Sequence, residues 1–385
     1  MMTNQHHTPR PDRAGSRGSE EKAATPTITR RGAFALAGIL GLTTARPGLA
    51  RFEAPAFPID RALAPLLDRE GFAGMYAGVS RGALLAAGGA NFPKGYPWEG
   101  GLKVWSDAIF VLQRPDAAAW VRLDLELPAP RGYGASFAID ERVLLIGGEI
   151  GSAPGVSRAT SEVLALEWRS GKASIDRLPD LPEASMNHGA AVLGERIHVV
   201  GGISSPDATS AERRHWSFDP RAGVNSTPRL EPPLPGPGRM LAAVGRLGDA
   251  LIVAGGVALE PGPDGNPVRR YLADCYSFRP GRGWRRVADL PRPLAAAPAP
   301  ALERAGRLLL LGGDDGSQVA RPPLEHAGFS RAVLAYGSAA DRWVEVGTTA
   351  LARVTAPVVE WGGAWVVVSG EAKPGRRSPE VRQLQ

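Results

Sequence analysis

An all-β fold, six four-stranded sheets set around a closed ring, is what this sequence predicts. Three observations predict it. Six segments nearly superimpose: "YAGVSRGALLAAGGA", "YGASFAIDERVLLIGGE", "HGAAVLGERIHVVGGI", "LAAVGRLGDALIVAGGV", "APALERAGRLLLLGGDD" and "APVVEWGGAWVVVSGE". Glycine pairs begin at Gly88, Gly147, Gly201, Gly255 and Gly312, with Ser369-Gly370 as a sixth copy, at successive spacings of 59, 54, 54, 57 and 57 residues. A fixed period of this length marks a repeat architecture, one supersecondary unit per repeat. Finally, the strand count is unbalanced at the two ends of the array, and the two imbalances complement each other.

Each unit reads as a small-residue strand, a polar turn, an apolar strand and the glycine pair. The pair lets strands near a central channel approach where side chains would collide. After it comes a loop, then a third and a fourth strand: "DAIFVL" precedes Trp120, "ADCYSF" precedes Trp284 and "RAVLAYG" precedes Trp343. Those indoles are expected to wedge between neighbouring sheets. The unit resembles the kelch repeat, in which one repeat is one propeller blade, so the expectation is a six-bladed kelch-type β-propeller. Fourth strands run into proline-rich punctuation, as in "VRLDLELPAPRG", "IDRLPDLPEAS" and "WRRVADLPRPL". "IDRALAPLLDREGFAG" has the same shape with no strands of its own before it, whereas the last repeat stops after "PEVRQL" as its third strand. The orphan strand near Ala62 to Leu66 should therefore complete the last blade, which also removes exposed sheet edges.

Of 385 residues, 48 are glycine and 35 proline, without a collagen period, and 43% are hydrophobic, enough for a sizeable core. The formal net charge is +6, but the first fifty residues hold seven cations against three anions. The remaining 38 cations and 36 anions make an ordinary soluble surface, with no basic cluster that would suit nucleic acid. Residues 1–50 read as a twin-arginine export signal: Arg30-Arg31 precede a weakly apolar Ala/Gly/Leu stretch, and small residues allow cleavage after Ala50 or after Ala45. The stretch is too short and glycine-rich to span a bilayer well, so a periplasmic or secreted propeller over 51–385, with no membrane attachment once cleaved, is expected. The single cysteine, Cys275, excludes an intrachain disulfide and reads as a buried, inert thiol.

Antiparallel strands put the residues after each glycine pair, and those just before each first strand, at one mouth of the channel. The first set is Ala90, Glu149, Ile203, Val257, Asp314 and Glu371; the second includes Arg131, Asn187, His188 and Arg239. Carboxylates and guanidiniums around one funnel suit a small polar ligand. Glu371 stands out by its company. In "GEAKPGRR" a turn stiffened by Pro374 and Gly375 can fold Arg377 back towards the same mouth.

"GFAGMYAGVSRGALLAAGGANFPKGYPWEGGLKVWSDAIFVL" and "SGEAKPGRRSPEV" resemble the bacterial N-acetylneuraminate epimerases, the sialic acid mutarotases. In that family the E-A-K-P-G-x-R segment lies mid-chain and precedes the F-A-G blade. Here it comes last and that blade comes first, which implies a circularly permuted relative. The resemblance implies anomer interconversion of N-acetylneuraminate or a related acidic sugar, with the essential Glu and Arg at Glu371 and Arg377. Arg376 stands where the family typically has an apolar residue, leaving open which of the two arginines faces substrate. The chemistry suits the residue types. A carboxylate can relay a proton between anomeric hydroxyl and ring oxygen without metal or other cofactor, and an arginine fork matches the sugar carboxylate. Arg131, Glu149 and Asn187 are expected as supporting contacts, and Lys103, with Trp98 and Glu99, as a cap from the long loop "PWEGGLKVW".

Two other classes compete. A copper-radical oxidase built on kelch blades would need paired tyrosines, paired histidines and a cysteine–tyrosine cross-link. Beyond the signal only His188, His198, His215 and His326 are on offer, at spacings that suggest no metal site. A non-catalytic propeller binding a glycan or protein is the alternative function, since fold does not fix activity. A carboxylate and an arginine placed together at the channel speak for catalysis.

Overall fold

The first and second strands of every repeat pair as an antiparallel hairpin. In the first blade Tyr76–Ser80 pairs with Ala83–Ala87, and in the third Gly189–Leu193 pairs with Arg196–Val200. The computed structural model describes residues 60–262 and 264–384; the twin-arginine segment and both cleavage positions lie outside the described residues. Six sheets follow one another, each adding its third and fourth strands outward, as Val156–Arg169 and Lys172–Leu178 do in the second blade; five have four strands, and the second blade gains a fifth, Arg131–Gly132, beside Arg142–Ala153. Apart from two short 3-10 turns, Pro97–Glu99 and Pro220–Asn225, the described residues form strands and connecting loops.

The sixth blade closes as the strand count requires. Its order, outermost first, is Asp60–Ala62, Val381–Leu384, Ala364–Val368 and Val358–Trp361. The closing strand is shorter and slightly earlier than the sequence suggests, but the chain after it stays bonded: Leu63 N–H donates to Val381 O and Leu66 N–H to Pro379 O. Leu63 and Leu66 sink into an apolar cluster with Trp120, Trp361 and Val366, which seals the last blade to the first. The predicted indole wedges are present. Trp120, Trp284 and Trp343 each donate from Nε1 to a carbonyl at the outer edge of the preceding blade: Ala64, Pro232 and Ala288, at 2.8, 2.7 and 3.0 Å.

The glycine pairs all lie in the positive-φ region, and Ser369 (φ 57°) is the exception in residue type, not in conformation. A Cβ on Gly201 would sit 2.3 Å from the next blade's Arg239 carbonyl oxygen, so a side chain there must find a use. Ser369 does: its hydroxyl accepts from Phe72 N–H and lies 2.8 Å from Phe72 O, tying the same seam. In two blades the chain does not loop out after the pair, contrary to expectation. Arg142–Ala153 with Val156–Arg169, and Ala250–Pro261 with Pro267–Arg279, continue past it as long hairpins, with a bulge at the glycines.

Inside the blades a second ring appears that the sequence does not announce. Gly74, Tyr133, Asn187, Leu241, Ala296 and Thr355 hold the same place in the six blades, all with φ between 51° and 68°. Each backbone N–H donates to the carbonyl of its counterpart in the preceding blade at 2.7–2.9 Å, and Gly74 donates to Thr355 to complete the circle. Below this ring the channel is lined mainly by small apolar residues, among them Ala135, Ala190, Ala242, Ala297 and Ala356.

Candidate active site

Above the hydrogen-bonded ring, the residue after each glycine pair is bridged to the residue before the ring position. Glu371 pairs with Val354, and Asp314 with Ala295. Glu371 then starts a tight hairpin, Glu371–Lys373 against Arg376–Arg377, in which Glu371 and Arg377 are direct cross-strand partners. The Pro374-Gly375 turn thus folds Arg377 back as its sequence suggests. One carboxylate oxygen of Glu371, Oε1, accepts from Gly375 N–H at 2.7 Å and lies 3.1 Å from Arg377 Nη1. Among the described residues no donor reaches Oε2. The carboxylate is therefore anchored through one oxygen only.

Arg377 is the arginine that turns inward. Its side chain is 5% exposed, with the guanidinium over the Phe92 ring, Nε donating to Ala90 O and Nη2 lying 3.4 Å from the Tyr133 hydroxyl. Burial works against its charge, yet the adjacent Tyr133 phenol and Glu371 carboxylate hold its pKa above the ordinary value. Nη1 is within ion-pair distance of Glu371 but makes no aligned hydrogen bond. A buried N–H in that condition is a donor awaiting an acceptor. Arg376 faces away and stacks over Tyr96 and Trp98, and Trp98 lies against Gly375 so closely that a Cβ there would fall 2.8 Å from its ring. The loop of the first blade thus braces the hairpin that carries Glu371.

The second blade supplies the opposite wall. Lys103 reaches across to Glu149 at 3.1 Å and sits over the rings of Trp105 and Tyr133. Glu149 also accepts from Trp105 Nε1 and Ser157 Oγ and is 2% exposed, so its carboxylate is fully occupied in holding the wall together. Arg131, 1% exposed, is held by Glu162 at 2.6 Å and by Ala129 O. It belongs to a set that recurs in alternate blades: Arg239 on Asp274 and Arg353 on Glu380 occupy the same place. These arginines clamp strands within their own blades, and the supporting contacts expected of Arg131 and Glu149 are made to protein. Asn187 stands on the ring and lines the channel. Tyr133, between the two cations, is the site residue that sequence reading does not single out.

His198 and His215 meet at 2.8 Å, packed against Phe278 and Trp284, while His188 lines the channel beside Ser185 Oγ. Burial drives the pKa of His188 and of His198 down to about 4 and that of His215 to about 3. Unfolded histidine binds its proton near pH 6.5, so between pH 6.5 and 4 the unfolded chain holds more protons than the folded one. Stability should be complete above pH 6.5 and fall below it, by up to about 1.4 kcal/mol per pH unit for each histidine. Thermal melts from pH 7.5 to 4 check this; replacing His198 and His215 together by leucine should flatten the slope, and an unchanged slope would refute their part in it.

Residues 62–175, the first blade and most of the second, match the family model described as N-acetylneuraminate epimerase. That segment is under a third of the chain, and it is the part of the protein that resembles this family. An N-acetylneuraminate epimerase of Yersinia pestis (strain Pestoides F) is 37% identical over 117 residues, 28% of this chain and 28% of that protein. One from Salmonella enteritidis PT4 (strain P125109) is 38% identical over 103 residues, 24% of this chain and 26% of the relative. The matched stretches span little more than a quarter of those relatives, and the segment matched by the family model contains Lys103, Tyr133 and Glu149 but neither Glu371 nor Arg377. The solved structure of YjhT shares the fold, with a TM-score of 0.61 at 16% identity, covering 84% of this chain and 99% of that one.

Proposed function

We propose that this propeller interconverts the α and β anomers of N-acetylneuraminate or a closely related acidic sugar. Glu371 serves as the proton-transferring carboxylate, and Arg377 binds the sugar carboxylate. The observation that carries the reading is the asymmetric anchoring of Glu371. With Oε1 held by Gly375 and Arg377, Oε2 is left to accept a proton beside a buried guanidinium that has a donor to spare. A base beside a fixed cation suits proton transfer on an anionic sugar and calls on neither a metal nor a nucleotide. Support for the substrate comes from the relatives named N-acetylneuraminate epimerase. Support for a circularly permuted order comes from the chain itself, whose E-A-K-P-G-x-R hairpin lies in the last blade while the first follows the closing strand.

Exchange NMR on N-acetylneuraminate tests the activity directly. Acceleration of anomer exchange by folded protein supports the reading. Absence of acceleration, with N-acetylneuraminate and related ulosonic acids alike, rejects it in favour of a glycan- or protein-binding propeller. We further propose that Arg30-Arg31 direct the domain out of the cytoplasm. Changing both to lysine should leave the protein in the cytoplasmic fraction, whereas unaltered export of the double variant would dispose of the twin-arginine reading.

A further inference from the structure

Mutarotation moves two protons, one at the anomeric hydroxyl and one at the ring oxygen, and a single carboxylate would have to travel between them. We propose that Tyr133 is the second proton-transfer group, working opposite Glu371. This inference rests on the mutarotase reading above. Tyr133 stands on the hydrogen-bonded ring with φ 58°, a conformation costly for a bulky residue, and its five counterparts in the other blades are all smaller. Its ring is seated against Gly74, where a Cβ would come within 2.7 Å, so the first blade leaves room for it. Its hydroxyl lies 3.4 Å from Arg377 Nη2, and the Lys103 ammonium is 4.8 Å from its ring centre. The phenol thus shares Arg377 with Glu371: one guanidinium touches both groups, which come from the blades on either side of the first. Lys103 itself is tied to Glu149 and is not the acid.

Glu371 takes the proton of the anomeric hydroxyl, whose O–H electrons form the carbonyl. The bond between the anomeric carbon and the ring oxygen breaks, its electrons go to that oxygen, and the oxygen takes the Tyr133 proton. Arg377, donating to the phenol oxygen, stabilises the phenolate so formed, together with the field of Lys103. After rotation in the open chain the released hydroxyl attacks the other face of the carbonyl and loses its proton to Tyr133. Glu371 returns its own proton to the former carbonyl oxygen. Both groups end as they began, and nothing is oxidised or reduced.

Tyr133→Phe keeps the ring against Gly74 and under Lys103 while removing only the hydroxyl. In exchange NMR it should lower kcat by about 10²-fold or more, with KM nearly unchanged. Full-length protein carrying 3,5-difluorotyrosine at 133, a more acidic phenol of nearly the same shape, should stay active with an altered kcat and an unaltered KM, a change that a purely structural tyrosine would not produce. If wild type is active and Tyr133→Phe matches it within about threefold, or raises KM alone, the role assigned to Tyr133 is wrong while the mutarotase reading survives. If wild type itself leaves anomer exchange unaccelerated, both fall together.

Discussion

Replacing Glu371 by glutamine is expected to lower enzyme-driven anomer exchange by about 10²–10⁴-fold, the usual loss when a positioned acid/base group is removed. The substitution is nearly isosteric. A glutamine with its carbonyl in place of Oε1 can still accept from Gly375 N–H, so the hairpin and the Trp98 brace against it should persist. What disappears is the basic oxygen at Oε2 and the charge facing Arg377. Unpairing that guanidinium should leave sugar binding intact or tighten it, because the sugar carboxylate no longer competes with Glu371 for the same cation. The diagnostic pattern is therefore a collapsed kcat with KM unchanged or lower. A variant that retains more than about a tenth of the wild-type rate would remove Glu371 from the chemistry.

The second large effect is on stability. Expressing the chain from Leu67 onwards, without the closing strand, removes Leu63 and Leu66 from the seam cluster and takes from Trp120 its carbonyl partner, Ala64. Each buried leucine contributes about 1.5–3 kcal/mol and the indole bond about 1 kcal/mol. The expected loss is about 4–7 kcal/mol, a large part of the roughly 5–15 kcal/mol that holds a folded domain together. Val381–Leu384 would also become an open sheet edge, so aggregation should accompany the loss. Urea unfolding gives the number, and Leu66→Ala in the full chain, expected to cost about 2–5 kcal/mol, separates packing from edge exposure. A truncated protein with the midpoint of the intact one would mean that the ring does not depend on its closing strand.

The parts of this fold that could be read in advance are those a side chain cannot counterfeit. Only glycine tolerates both the backbone conformation and the crowding at the paired positions, so their period gave the blades, and the unbalanced strands gave the closure. The single departure, Ser369, is accommodated because its hydroxyl bonds the very backbone that a Cβ would otherwise crowd. Glu371 and Arg377 were legible because a short rigid turn links them, and the same turn makes Arg377 rather than Arg376 the cross-strand partner. The contacts of Arg131, Lys103 and Glu149 were not legible. Arg131 reaches Glu162 across 31 residues and Lys103 reaches Glu149 across 46, and no local pattern distinguishes a cation facing a ligand from one clamped to a distant strand. Tyr133 was hidden for another reason. After "RG" it reads as an ordinary strand start, and nothing in the sequence betrays that the backbone there turns left-handed. Nor does alternation reveal that two hairpins pass through their glycine pairs without stopping.

The ring of backbone hydrogen bonds also orders the events of folding. Five of its six bonds join residues 54 to 59 positions apart and can form as successive blades are added, whereas the sixth, Gly74 to Thr355, spans 281. Loop-closure entropy grows only with the logarithm of length, so that bond costs only about 1.4 kcal/mol more than its neighbours. Its difficulty is one of timing. Neither it nor the docking of Asp60–Ala62 on Val381–Leu384 can occur before nearly all of the chain has been made. Until then the blades form an open crescent with both flanks unpaired, and the mouth lacks the one blade that carries Glu371 and Arg377. Completion of the ring and assembly of the candidate site are therefore a single late step, governed by the longest-range contacts in the molecule.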